Sequence, residues 1–164
     1  MKFGEIFHLG IVVENMELAV NVYEKELGYG PFEITDGEFF DDKIVNGKIG
    51  PGLPMKCATY RGKNFEIEII EPTGPSIYKE FLDANGPGIH HVILKTDEKY
   101  QDVVDMAKRV SGRPPKLETK FPDGTPIVAY ADLQKEAGIL LEISPTFVSS
   151  NIRCNKYKIN IGRS

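Results

Sequence analysis

The sequence predicts an α+β protein made of two tandem modules that share one plan. Three observations carry that reading. Residues 6–13 and 89–94 are apolar strands that each contain histidine. Each is followed by a helical stripe of apolar residues ending near a glycine. Each unit then closes on an apolar strand with a glutamate inside it, Phe65–Pro72 and Ile139–Pro145. The 164-residue chain is long enough for one domain, or for two small modules around a common core.

The elements follow in order. In the first strand Phe7, Leu9, Ile11 and Val13 share one face, and Ile6, His8, Gly10 and Val12 share the other. Asn15 is the expected N-cap of a helix whose stripe is Met16, Ala19, Val20, Tyr23 and Leu27, with Gly28 as its stop. Met55–Tyr60 and Asn64–Glu71 read as strands around an Arg61-Gly62-Lys63 turn. In the second module Asp97 is the expected cap, Tyr100, Val103, Val104, Ala107 and Val110 form the stripe, and Gly112 ends it. Pro126–Leu133 and Gly138–Ser144 then flank a turn at 134–137. The Pro- and Gly-rich segment between the modules holds Ile77, Tyr78, Phe81 and Leu82 at the spacing of a short helix. From His8 to Gly28 is 20 positions, and from His91 to Gly112 is 21, so the register is nearly kept.

The modules differ in length. Gly28 to Glu68 spans 40 positions against 30 from Gly112 to Glu142, which puts the excess in residues 33–54. That segment mixes glycine and proline with Glu38, Asp41 and Asp42, and is expected to be a mobile cover. The tail, Val148–Ser164, has a short alternation at Tyr157–Ile161 that would add an edge strand or fray.

Composition excludes several classes. A net charge of −4 argues against a nucleic-acid partner. No apolar run approaches the roughly 20 residues that cross a bilayer. The N-terminal segment has no signal-peptide core, because Glu5 and His8 interrupt it. Cys57 and Cys154 have no metal-site or redox spacing, so a cytoplasmic protein without a disulfide is expected.

The paired histidines and glutamates carry the chemistry. Glu142 lies among Leu140, Leu141 and Ile143, where a carboxylate is costly unless it is paired or binds a cation. Glu66 and Glu68 share a strand face that a solvated surface alone would explain. Equivalent positions in two copies nevertheless each offer one nitrogen and one oxygen donor. That is what a site of two histidines and two carboxylates around one divalent ion requires.

Together, Phe7–Val13, Leu18 to Gly28, Ile67–Pro72, Gly88–Val92 and Leu140–Glu142 resemble the vicinal oxygen chelate superfamily, which includes glyoxalase, bleomycin resistance proteins and ring-cleaving dioxygenases. The resemblance covers most of residues 6–145. Within it, Phe81–His91 and Lys135–Glu142 look most like the methylmalonyl-coenzyme A epimerase branch. It implies two tandem βαβββ modules forming one eight-stranded, cup-shaped mixed sheet. Residues 1–147 would be a single domain, with module one at about 6–72, a linker at about 73–87 and module two at about 88–147. Residues 148–164 would be a C-terminal extension.

Carried across by position, the resemblance implies His8, Glu68, His91 and Glu142 as ligands of one divalent metal ion per chain. Cobalt, nickel, zinc, manganese and iron all suit such donors. His90 would point to the opposite face, so its replacement would leave metal binding unchanged. Glu142 would also be a catalytic base. A second catalytic carboxylate would come from residues 33–54, where Glu38, Asp41 and Asp42 are all candidates and Glu38 is taken first. The implied activity is metal-dependent proton abstraction next to a carbonyl, with an enolate stabilised by the metal, in an epimerase acting on an acyl-coenzyme A thioester. A lactoylglutathione lyase acting on a thiol adduct and a non-catalytic ligand-binding or resistance protein are the alternatives. A homodimer with no membrane or nucleic-acid partner is expected.

Overall fold

The computed structural model of the chain describes residues 1–145, except for the side chain of Glu38. The extension from 148 and the strand expected at 157–161 lie outside the described residues. Among the described residues, ten strands form one mixed sheet in the order β2-β5-β6-β1-β7-β10-β9-β8-β3-β4, accompanied by four helices.

At the centre β1 (Phe3–Val12) pairs in parallel with β6 (Glu66–Pro72) and antiparallel with β7 (Gly88–Thr96). On one side of this centre β6 pairs with β5 (Leu53–Arg61), and β5 with β2 (Glu33–Phe39). On the other side β7 pairs in parallel with β10 (Ile139–Ile143). Antiparallel neighbours β9 (Pro126–Leu133) and β8 (Leu117–Lys120) follow.

The sheet has two strands more than the expected eight. The segment 33–54 is not a free cover: 33–39 is strand β2, and Ile44–Val45 and Lys48–Ile49 form the hairpin β3-β4, which docks on β8. Asn46 secures that docking. Its backbone N–H donates to Glu118 O at 2.8 Å, and its Oδ1 accepts from the Glu118 N–H at 2.8 Å. Within residues 33–54, β2 thus pairs with β5, and the β3-β4 hairpin pairs with β8.

Helix α1 (Met16–Lys25) starts at Asn15, whose Oδ1 accepts from the Leu18 N–H at 2.8 Å. It buries Met16 and Val20 against Ala58, Ile67 and Ile69. Helix α3 (Tyr100–Ser111) buries Tyr100, Val103, Val104 and Ala107 against Ala129, Ala131, Leu133 and Leu141. Its N-cap is Lys99 rather than Asp97, and it ends at Gly112 in the left-handed conformation. The turn expected at 134–137 is the one-turn helix α4 (Gln134–Ala137).

The linker helix α2 (Ile77–Asn85) packs on the opposite face of the sheet. Tyr78, with Ile77, Phe81 and Leu82 beside it, joins Val12, Leu53, Met55 and Ile70 to Leu117, Val128, Tyr130 and Leu140. Strands from before and after the helix in sequence therefore bury apolar surface under it. No helix among the described residues is long and apolar enough to cross a membrane.

This packing separates buried from exposed isoleucines. Ile69 is fully buried whereas Ile49 is 73% exposed. Ile69→Ala is expected to cost about 2–5 kcal/mol in urea unfolding. Ile49→Ala is expected to stay within about 0.5 kcal/mol of the parent.

Candidate metal centre

The inner face of the sheet follows from strand alternation. His8, Gly10 and Val12 share a face of β1, and Glu66, Glu68 and Ile70 share the matching face of β6. Val12 and Ile70 continue into the apolar cluster under α2, so the polar residues ahead of them form the other end of the same surface. Gly10 lies beside Glu68 on one side and His91 on the other. Glu142 faces Tyr130 across the β10–β9 pairing.

His8, Glu68 and His91 offer donor atoms that all lie within 4.8 Å of one another. His8 Nε2 is 3.2 Å from His91 Nε2 and 3.4 Å from Glu68 Oε2, and His91 Nε2 is 3.5 Å from Glu68 Oε2. Glu142 Oε2 stands 2.9 Å from His91 Nε2. The structure therefore brings three of the four expected ligands into one cluster and sets Glu142 beside His91.

The other candidates fall elsewhere. Asp41 and Asp42 are exposed, Asp42 pairs with Lys43, and neither shares a hydrogen bond or ion pair with the four among the described residues. Glu38 lies on β2 opposite Pro54, and its side chain is outside the described residues.

Three contributors to the site are not evident from the sequence. Glu66 is not a solvated surface residue: its Oε1 accepts from His8 Nδ1–H at 2.8 Å, and its Oε2 pairs with Arg61 Nε at 3.1 Å. Cys57 donates its S–H to Glu68 Oε1 at 3.2 Å, leaving Oε2 toward the histidines. Gly10 makes room, since a Cβ there would lie 1.9 Å from His91 Cε1. Of these, only Glu66 could be suspected from its alternation with Glu68.

His90 corrects an expectation. It does not point to the opposite face. The β1–β7 register slips between Gly10↔His91 and Ile11↔Ile89, which leaves His90 as an extra, bulged residue. Its ring packs on Tyr78, Phe81 and Tyr130, of which Tyr130 also stacks on His91, and its Nδ1 is 3.0 Å from His91 Nδ1.

The electrostatics show a site that draws positive charge. Burial alone would lower the pKa of His8, yet hydrogen bonds to Glu66 and Glu68 and the field of Glu142 raise it to about 10. His91 is raised likewise, with Glu142 and Glu68 outweighing burial. Burial would push Glu68 up, but His8 and His91 hold it well below the usual carboxylate range. His90 behaves oppositely: burial, His91 and Lys116 lower it to about 3. Burial also pushes the Cys57 thiol up, and the Glu68 charge adds to that.

These donors fit a divalent ion in both charge and size. Arg61 balances Glu66, so Glu68 and Glu142 leave two negative charges for two neutral imidazoles to share with a dication. Atoms that share one ion at about 2.1 Å stand roughly 3.0–3.4 Å apart, in octahedral or tetrahedral arrangement. The His8–His91–Glu68 triangle has close to that size.

Comparison with known proteins agrees with this architecture. Residues 7–121 match the Glyoxalase/Bleomycin resistance protein/Dioxygenase superfamily, and the chain belongs to that family. No curated protein sequence matches the chain. Among solved structures, a variant of Streptomyces coelicolor methylmalonyl-CoA epimerase in complex with 2-nitronate-propionyl-CoA is 19% identical, covering 90% of this chain and 99% of that one, with a TM-score of 0.58. Methylmalonyl-CoA epimerase from Mycobacterium tuberculosis is 21% identical, covering 85% of each chain, with a TM-score of 0.55. A hypothetical protein from Bacillus halodurans C-125 is 19% identical, covering 85% of this chain and 92% of that one, with a TM-score of 0.54. At these identities the likeness is one of fold.

The crowding at Gly10 gives a direct test. Gly10→Ala is expected to force the His91 ring out of place, destabilising the protein by about 1–3 kcal/mol. It should also abolish high-affinity binding of a divalent ion. A stable variant with wild-type metal affinity would show that His91 need not occupy this position.

Proposed function

We propose that this protein is a divalent-metal-dependent epimerase that moves a proton at a carbon next to a carbonyl, with an acyl-coenzyme A thioester as substrate class. The observation that carries the reading is the triangle of His8 Nε2, His91 Nε2 and Glu68 Oε2, whose sides measure 3.2, 3.4 and 3.5 Å. His8, Glu68, His91 and Glu142 would hold the ion. The substrate class is supported by the fold shared with methylmalonyl-CoA epimerases, one of them solved with an acyl-coenzyme A analogue.

When bound, such an ion supplies Lewis-acid stabilisation of the negative charge that develops on a carbonyl oxygen. The remaining steps belong to the chain. Glu142 takes the α-proton: the C–H bond breaks, and its electron pair moves into the enolate. An enolate is planar, so a proton can return from either side. Glu142 serves one face, and a carboxylate from residues 33–54, with Glu38 the leading choice, serves the other. The hydrogen bond from His8 to Glu66 and that from Cys57 to Glu68 hold two of the ligating side chains in orientation. Buried Val12, Ile70 and Leu140 close the inner face beyond the site and keep water from that side.

Metal analysis and isotope exchange test the proposal. The purified protein is expected to bind one divalent ion per chain. His8→Ala or His91→Ala should weaken binding by at least the roughly 10–100-fold that loss of a supporting partner costs. In heavy water the loaded protein should wash deuterium into methylmalonyl-coenzyme A, and Glu142→Gln should not. Exchange confined to the methylglyoxal–glutathione hemithioacetal would identify a lactoylglutathione lyase instead. Metal binding without exchange in either substrate would indicate a binding protein.

The pH dependence has a definite sign. His8 carries a proton up to about pH 10 without metal and must lose it to ligate. Metal binding near neutral pH should therefore release protons, and apparent affinity should rise with pH. Calorimetric titration in buffers of different ionisation enthalpy measures that release. A buffer-independent enthalpy would contradict it.

A further inference from the structure

We infer that His90 is a positioning residue for His91: its Nδ1 accepts the Nδ1–H of His91 and thereby turns His91 Nε2 into the site. The inference rests on the metal-binding reading above. It begins with geometry. The two Nδ1 atoms are 3.0 Å apart and buried, so one of them carries the proton between them. The other nitrogen of His91, Nε2, faces Glu142 Oε2 at 2.9 Å, His8 Nε2 at 3.2 Å and Glu68 Oε2 at 3.5 Å. A ligating Nε2 gives up its lone pair, so a neutral His91 must keep its proton on Nδ1. His90 Nδ1 is then the acceptor, and the proton of His90 resides on Nε2.

The backbone shows how His90 comes to be available. In a regular strand, consecutive side chains alternate faces, and His90 would be excluded from the side that holds His91. The extra residue in β7 between the Gly10 and Ile11 pairings removes that alternation. The ring is then clamped by Tyr78 at 5.0 Å and by Phe81 at 5.1 Å, both from α2, and by Tyr130 at 5.7 Å from β9. The linker helix thus reaches the centre through His90.

The arrangement parallels that of the partner histidine, with one chemical difference. His8 Nδ1 donates to a carboxylate, Glu66, which is itself paired with Arg61. His91 Nδ1 donates to a neutral ring. A carboxylate acceptor makes the imidazole above it a stronger donor than a neutral acceptor does. The two histidines of the centre are therefore unequal, with His8 the more basic ligand.

Two variants and one spectroscopic readout test this. His90→Asn keeps an acceptor near the position of Nδ1, whereas His90→Phe keeps the aromatic volume and removes the acceptor. Cobalt(II) is the probe, followed by competition affinity and by its visible absorption bands. His90→Phe is expected to lose roughly 10–100-fold in cobalt affinity and to shift the bands, while His90→Asn stays below that range of loss. Thermal melts of the metal-free variants separate folding defects from this effect, because a merely structural role would not be rescued by asparagine. In the zinc-loaded and metal-free wild-type protein, long-range proton–nitrogen NMR should show His90 with its proton on Nε2 and none on Nδ1. A proton on His90 Nδ1 would overturn the inference, as would wild-type cobalt affinity and spectrum in a folded His90→Phe protein. If the wild-type protein binds neither metal, the metal reading fails on its own, and the site of the His90 proton still decides the direction of this hydrogen bond.

Discussion

The antiparallel pairing of β1 with β7 is the constraint on which the centre depends. It sets Gly10 opposite His91, while the parallel β6 places Glu68 on the other flank of the same glycine. Two imidazoles and a carboxylate then converge over a position with no side chain of its own. The convergence is costly in isolation, because buried charged groups lose hydration that only partners can replace. The sheet imposes it through backbone hydrogen bonds, and the apolar clusters on both faces hold that sheet in place.

The electrostatic consequence is a centre whose carboxylates shift His8 and His91 toward their protonated forms. His8 and His91 are both buried, which should favour their neutral forms, yet both are shifted toward the charged form by their carboxylate neighbours. Protons on the imidazoles and a dication between them are alternative ways to neutralise Glu68 and Glu142. His90 lies a few ångströms away, away from those carboxylates, and is shifted the other way to about 3. At His8 and His91 the carboxylates outweigh burial, whereas at His90, under α2, burial prevails and His91 and Lys116 add to it.

Much of this was legible in the sequence where the chain obeys simple periods. Alternation in residues 6–13 put His8 and Gly10 on one face, and the helical stripes of α1 and α3 were readable from Met16 and Val20, and from Val103 and Val104. Glu142 stood out as a carboxylate in an apolar strand. The failures share a cause: each depends on a partner far along the chain. The strand 33–39 is rich in acidic and small residues, and it is a strand because β5 pairs with it. The β3-β4 hairpin exists through Asn46 and β8, some 70 residues away. Glu66 reads as a surface acid until His8 and Arg61 are placed beside it. The His90 bulge leaves no mark on composition, because a single inserted residue preserves every local propensity while reversing one side-chain direction.

The inner face is divided, and the division bears on what the site can do. One end is lined by His8, Glu68, His91 and Glu142. The other is filled by Tyr78, Tyr130, Leu140 and their apolar neighbours, with the two tyrosine hydroxyls bonded to each other at 2.7 Å. Burial raises both phenols, and nearby carboxylates add to the shift, so both keep their protons at neutral pH. Tyr130 stacks on His91 at 4.8 Å, and Tyr78 packs on His90 at 5.0 Å. The aromatic half therefore presses on the polar half through two histidines, one expected to ligate and one to orient. A rigid, dry wall behind one ligand restricts ring rotation without adding a competing acid or base. The linker helix reaches the centre through these two histidines, and its role there is to keep His91 aimed.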